Sequence, residues 1–183
     1  MFTLTWDLTS LTGSGYWKLS LLENNSEIWC DYAGLCHAGA NTVFAVKIDG
    51  EDYLLRYSPD MGQGIADYWY EIFSLDENGI ETLWKRNGIE FDVNFGSGTH
   101  RPFDPEKIAR FLQEVHSWLN DDSELLFSTE DGIFCSGGSG VSFRGDKFWS
   151  DTWYDPEKSL EENLRIYAEE LTKLRAEEGE YQQ

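Results

Sequence analysis

The stretch Val43-Phe44-Ala45-Val46-Lys47-Ile48-Asp49-Gly50-Glu51-Asp52-Tyr53-Leu54-Leu55-Arg56-Tyr57 decides the fold. Val43, Ala45 and Lys47 alternate with Phe44, Val46 and Ile48, the period of two that sends successive side chains to opposite faces of a strand. Asp49-Gly50 then supplies two residues that tolerate the left-handed backbone of a tight hairpin turn. Tyr53 to Tyr57 forms the returning strand. Working outward, Tyr68-Trp69-Tyr70-Glu71-Ile72-Phe73 is rich in residues that fit a pleated surface. Asp76-Glu77-Asn78-Gly79 follows as a turn and Ile80 to Arg86 returns. Asn87-Gly88 predicts a further turn into Ile89, Phe91, Val93 and Phe95. Upstream, Trp6 to Thr9 and Trp17 to Leu22 add two strands, so residues 1–100 are mainly an antiparallel meander.

Two helices follow, over residues 104–120 and 155–178. Asp104-Pro105-Glu106-Lys107 and Asp155-Pro156-Glu157-Lys158 both place an N-capping Asp before a Pro at the first helical position and a Glu at the positive end of the dipole. Ile108, Phe111, Leu112, Val115 and Leu119 form one apolar face; Leu160, Leu164, Tyr167, Leu171 and Leu174 form the other. Residues 124–150 hold a strand-like Leu125-Leu126-Phe127 and a glycine-rich loop, Cys135 to Gly140. The expectation is a single α+β domain over 1–183: a curved antiparallel sheet of about six to eight strands with two helices, the second C-terminal, and a tail frayed from Glu177 to Gln183.

The 183 residues are 40% hydrophobic and 15% aromatic, which excludes a disordered acidic tail. Against 14 Lys and Arg stand 34 Asp and Glu, a formal net charge of −20. Such a chain is repelled by nucleic acid and by anionic membranes and drawn to basic partners. Met1 to Asp7 lacks the basic and apolar regions of a signal peptide, and no apolar run is long enough to span a membrane. A cytoplasmic location with reduced thiols at Cys30, Cys36 and Cys135 is therefore expected.

No motif names a reaction. The three cysteines with His37 have the atoms for a tetrahedral zinc but not a usual spacing. Ser139 lacks the glycine two residues on that a nucleophile elbow needs. The glycine-rich stretches end in neither a phosphate-binding Gly-Lys-Ser/Thr nor a dinucleotide fingerprint. Glu90 and Asp92 share a strand face, yet among 34 acids such pairs arise by chance. No catalytic residue, metal or cofactor is expected.

Lys and Arg are absent from 19–46, 57–84 and 111–143, windows that hold fifteen acids. Within them Asp60, Asp67, Glu71, Asp76, Glu77, Glu81, Asp121, Asp122, Glu124 and Asp131 are the expected partner contacts, with Trp69, Tyr70 and Trp84 interleaved. The C-terminal helix carries compensating pairs such as Glu161 with Arg165 and reads as structural.

In size, acidity, α+β reading and lack of catalytic motifs the chain resembles phage- and mobile-element-encoded anti-CRISPR proteins, in particular inhibitors of the type II nuclease Cas9. A separate likeness lies over residues 53–95: Tyr57 to Gly64 and Phe73 to Gly79 resemble a segment of uncharacterised proteins of gut clostridia. The first resemblance implies a non-enzymatic inhibitor that occupies the nucleic-acid channel of a basic enzyme, Cas9 with its guide RNA being the sharpest target. Three alternatives stay open. One is an immunity protein for a basic toxin nuclease. Another is a carbohydrate-binding or hydrolytic protein using exposed Trp and paired acids. The third is a zinc protein using Cys30, Cys36, Cys135 and His37. Against all of these stands acidity that serves solubility alone.

Overall fold

The computed structural model describes residues 1–7, 16–33, 41–62, 65–92, 104–128, 154–155 and 157–180. Within them are eight strands and two helices: β1 (Phe2–Asp7), β2 (Tyr16–Glu23), β3 (Ser26–Ala33), β4 (Thr42–Ile48), β5 (Glu51–Gly62), β6 (Ile65–Leu75), β7 (Glu81–Asp92), α1 (Pro105–Ser117), β8 (Glu124–Ser128) and α2 (Leu160–Glu180). The fold is α+β with antiparallel pairing throughout and a C-terminal second helix. The strands divide between two sheets, one of order β1-β2-β3 and one of order β7-β6-β5-β4-β8. Among the described residues no helix is long and apolar enough to cross a membrane.

The division follows from the apolar pattern of the central hairpin. Val43 and Leu54 are buried on one face of the larger sheet, and Phe44, Val46, Leu55 and Tyr57 on the other. A strand apolar on both faces needs a layer on each side. On one side Val43, Leu54 and Phe73 pack with Leu19 and Trp29 of the smaller sheet. On the other, Phe44, Leu55, Tyr57, Tyr70 and Ile72 pack with Ile108, Phe111, Leu112 and Val115 of α1, and Leu160, Ile166 and Tyr167 of α2 join them. The result is three layers: small sheet, large sheet, helices.

The hairpin forms as its sequence dictates. Ile48 pairs with Glu51, and Asp49 and Gly50 take φ of 53° and 88° between them. Asp104 caps α1, its carboxylate accepting from the backbone N–H of Glu106 and Lys107 at 3.0 and 3.2 Å.

Four sequence expectations change. First, β3 lies where the sequence pattern indicates no strand; it follows β2 through Asn24-Asn25, both at positive φ, in a second two-residue hairpin. Second, Asn87-Gly88 is no turn, because β7 runs straight through it and Gly88 pairs with Trp69. A Cβ on Gly88 would stand 3.2 Å from that of Trp69, so glycine here admits a close cross-strand neighbour. Third, α2 starts at Leu160 rather than after Asp155 and runs to Glu180, into the tail expected to fray from Glu177. Ser159 Oγ accepts from Glu162 N at 3.2 Å and the Glu162 carboxylate accepts from Ser159 N at 3.1 Å, a reciprocal capping box. Asp155 instead forms a turn closed by the fully buried Asn163, which accepts from Asp155 N at 2.7 Å and donates to its carbonyl at 2.8 Å. Fourth, Arg165 pairs with Glu169 rather than Glu161. The expected strands over 8–9 and 93–95, the loop 135–140, Glu130 and Asp131 lie outside the described residues.

The β6–β7 turn welds the two sheets. The Asp76 carboxylate accepts from the N–H of Asn78 and Ile80 at 2.9 and 2.8 Å, and these backbone bonds, Ile80 first, hold its pKa below the ordinary carboxylate value. Gly79 has φ of 76°, and a Cβ there would meet the Ile28 carbonyl oxygen at 1.9 Å. Gly50 shares the positive φ but has open space around it. Gly79→Ala is therefore expected to cost clearly more stability than Gly50→Ala, whose penalty is the left-handed backbone alone, about 1 kcal/mol. Equal midpoint shifts in urea for the two variants would contradict this packing.

Candidate functional site

The carboxylates fall into two populations, and the larger sheet sorts them. The first is held inside the molecule by Arg56, whose side chain keeps only 17% of its surface in solvent. Arg56 lies on the β5 face that meets the small sheet. Its Nε donates to Asp31 of β3 at 2.6 Å, one terminal nitrogen to Glu71 of β6 at 2.9 Å and the other to Glu81 of β7 at 2.9 Å. Its guanidinium lies 4.5 Å above the Phe73 ring. Burial works against this charge, but Asp31 and then Glu81 outweigh it and hold the guanidinium more firmly protonated than usual. Trp29 Nε1 donates to Glu81 at 2.9 Å, and Arg86 approaches Glu71 at 3.5 Å. Glu71 and Glu81, two expected partner contacts, are thus engaged within the fold.

A second internal knot lies under the helices. Glu114 of α1 accepts from the Tyr70 hydroxyl at 2.6 Å, from Lys85 at 3.0 Å and from Asn87 Nδ2 at 2.7 Å. Trp118 Nε1 donates to the same Tyr70 oxygen at 3.2 Å. Burial, then the bond to Glu114, push the Tyr70 hydroxyl pKa well up. Tyr70 is fully buried, so it is core and not the surface aromatic its neighbourhood suggested; Trp69 is half-buried and Trp84 exposed. On the small sheet, Glu27 pairs with Lys18 at 2.7 Å.

The bases that the three acid-rich windows lack therefore arrive from outside them: Lys18, Arg56, Lys85 and Arg86. Much of what they leave unpaired is concentrated. In the antiparallel order β7-β6-β5-β4-β8, the β4–β5 turn, the β6–β7 turn and the start of β8 all lie at one end. Asn120 ties the α1–β8 link to that end, donating to the Lys47 carbonyl at 3.1 Å. Asp49, Glu51 and Asp52, then Asp76 and Glu77, then Asp121, Asp122 and Glu124 are all exposed there. Among the described residues only Asp52 of these has an ion pair, with Lys47 at 3.3 Å.

Five of the ten expected contacts thus meet at this acidic end: Asp76, Glu77, Asp121, Asp122 and Glu124. Asp67 lies toward the opposite end of the sheet, where the register sets it between Asp60 and Glu90. Asp131 is outside the described residues, as are Cys36, His37 and Cys135 of the zinc alternative. Among the described residues no group of three His, Cys, Asp or Glu side chains is placed to hold a metal ion. Sequence reasoning missed Asp49, Glu51 and Asp52, because nearby Lys47 and Arg56 kept their stretch out of the base-free windows.

Exposed apolar side chains accompany these acids. Ile80 is 62% and Trp84 47% exposed. Trp84 is where β7 carries one residue more than β6: Phe73 pairs with Leu83 and Ile72 with Lys85, leaving Trp84 without a partner in the ladder. Such a bulge re-aims a side chain. Alternation from Leu83 puts Trp84 on the helix side, 5.5 Å from the Tyr53 ring and 5.4 Å from that of Trp118, and the extra residue brings Lys85 to that side as well. No family model matches the chain, and neither a curated protein nor a solved structure matches it.

Two tests address the internal knots. Replacing Arg56 by Met leaves Asp31, Glu71 and Glu81 facing one another with little solvent, at an expected cost of about 3 kcal/mol. Lys at this site restores little, since one ammonium cannot span three carboxylates. Urea unfolding reads both variants, and a loss under about 1 kcal/mol for Arg56→Met would contradict the clasp. For Glu114, burial opposes its charge, yet the bonds from Tyr70, Lys85 and Asn87 prevail and hold its pKa below the ordinary carboxylate value. The unfolded chain then takes up this proton first as pH falls. The stabilisation is complete above the unfolded value and is lost as pH drops through the folded one. The stability difference between wild type and Glu114→Gln is expected to be constant near neutrality and to shrink below about pH 4.5. A difference that grows on acidification would contradict the assignment.

Proposed function

We propose that the chain is a non-enzymatic acidic inhibitor that binds a basic nucleic-acid-handling enzyme, with Cas9 loaded with guide RNA as the first target to test. One observation supports it: Asp31, Glu71 and Glu81 are held by Arg56 between the sheets, whereas eight exposed carboxylates, of which only Asp52 has an ion pair among the described residues, gather at one end of the larger sheet beside exposed Ile80 and Trp84. Acids kept for solubility would have no reason to collect where three chain segments converge. A Lys/Arg-lined channel built for phosphates offers the complementary field, and its occupation by carboxylates excludes the nucleic acid. The chemistry asks nothing of a nucleophile, a metal or a cofactor.

The reading predicts salt-sensitive loss of DNA cleavage when this protein is titrated into the Cas9–guide complex. Reversing Glu77, Asp121, Asp122 and Glu124 to Lys spares the Asp76 turn and the Arg56 clasp. It is expected to weaken inhibition by more than about tenfold. Reversing Glu90 and Glu106, at the far end of the sheet and of α1, changes it little. Equal inhibition by both variants would overturn the acidic end as the contact surface. Unchanged cleavage at every ratio of wild-type protein would remove Cas9 as the target.

A further inference from the structure

Trp84 poses a question that core packing leaves unanswered. It adds to the helix-side rings, yet 47% of its surface stays in water although Tyr53 and Trp118 both touch it. Its setting is also built. Alternation along β7 from Leu83 puts Trp84 on the helix side, and the bulge brings Lys85 to the same side, so the indole and the ammonium share that face. Trp118 meets Trp84 edge to face, at 89°. That arrangement fixes the Trp84 plane and leaves the remaining surface to solvent.

The surroundings select what would cover that surface. Glu51 shares the Tyr53 face of β5, two residues away, and Asp121 and Asp122 follow Trp118 in the link tied to Lys47. All three are exposed and without an ion pair among the described residues. The local field is negative, so an anionic or purely apolar occupant is disfavoured. The protein already shows the matching chemistry next door. Lys85 Nζ lies 4.6 Å above the Trp118 ring while bonded to Glu114, a cation held between an indole face and a carboxylate. Trp84 offers a second, partly open indole, and Glu51, Asp121 and Asp122 lie on the segments that carry its two ring neighbours, Tyr53 and Trp118.

We infer that Trp84 is the anchor of the partner surface and receives an arginine side chain of a basic partner protein, the guanidinium stacked on the indole and its N–H groups turned to the rim carboxylates. Arginine suits the place better than lysine because its planar cation stacks on an aromatic ring and still donates sideways. Tryptophan at the centre of a desolvated contact is also the side chain on which binding energy most often concentrates. The inference rests on the basic-partner reading above and adds the residue and the cation that carry it.

Fluorescently labelled deca-arginine and deca-lysine serve as probes, with binding read by anisotropy at about 0.15 M salt, where distant charges are screened. Wild type is expected to bind the arginine peptide more tightly than the lysine peptide. Trp84→Leu keeps the apolar bulk and is expected to weaken arginine-peptide binding about fivefold and narrow the gap between the peptides; Trp84→Phe is expected to keep most of it. Trp84→Leu binding like wild type, alongside loss on reversing Glu77, Asp121, Asp122 and Glu124, would overturn the anchor and leave the basic-partner reading standing. Binding of neither peptide by wild type would overturn both. If Trp84→Leu fails to fold, acrylamide quenching of wild type against Trp84→Phe isolates the Trp84 emission. Arginine peptide shielding it is the expected result, and an unshielded Trp84 would overturn the anchor.

Discussion

The Arg56 guanidinium is the constraint from which the rest of the arrangement follows. A cation between two sheets is tolerable only when its donors are met, and three strands meet them: Asp31 from the small sheet, Glu71 and Glu81 from the large one. Those bonds set the small sheet against β5, β6 and β7 and bring Trp29 to Glu81 and toward Phe73, whose rings lie 6.1 Å apart. They also fix the top of β7. With Glu81 and Leu83 on the small-sheet side and Lys85 drawn across to Glu114, β7 must switch faces over a few residues, and the bulge at Trp84 makes that switch. One partly buried ion network thus orders the interior and, through the bulge, sets Lys85 on the same side as Trp84.

The same network accounts for the division of charge. A chain of net charge −20 has too few bases to neutralise its acids, so placement of the bases matters more than their number. Arg56, Arg86, Lys85 and Lys18 serve acids that folding brings near the layers. The turns at one end of the larger sheet are left with carboxylates on three converging segments. Self-repulsion there disfavours the free fold and favours any basic surface that relieves it.

Much of the fold was legible and rather less of the site. The β4–β5 hairpin, the Asp76 turn, α1 and its Asp104 cap each rest on local chemistry within a few residues, and they form as read. The Asn24-Asn25 hairpin and the Ser159–Glu162 capping box were equally local signals, and more familiar-looking neighbours masked them. Asn87-Gly88 misled because its glycine serves a close approach to Trp69 rather than a turn, which only the cross-strand partner reveals. The partners of Arg56 lie 15 and 25 residues away, so no spacing rule names them. For the same reason the ten candidate acids could be ranked by window but not sorted into held and free. That sorting depends on which base folding delivers to each, and the extra residue at Trp84 is visible only in the register.

The central claim is that the acidic end with Trp84 at its edge is where a basic partner docks. Backbone hydrogen exchange, followed along this chain alone and then saturated with the Cas9–guide RNA complex, tests it most directly. The account predicts new protection confined to the β4–β5 turn, the β6–β7 turn with the first residues of β7, and the α1–β8 link. Protection centred on the three-stranded sheet, or none at any segment, would contradict it.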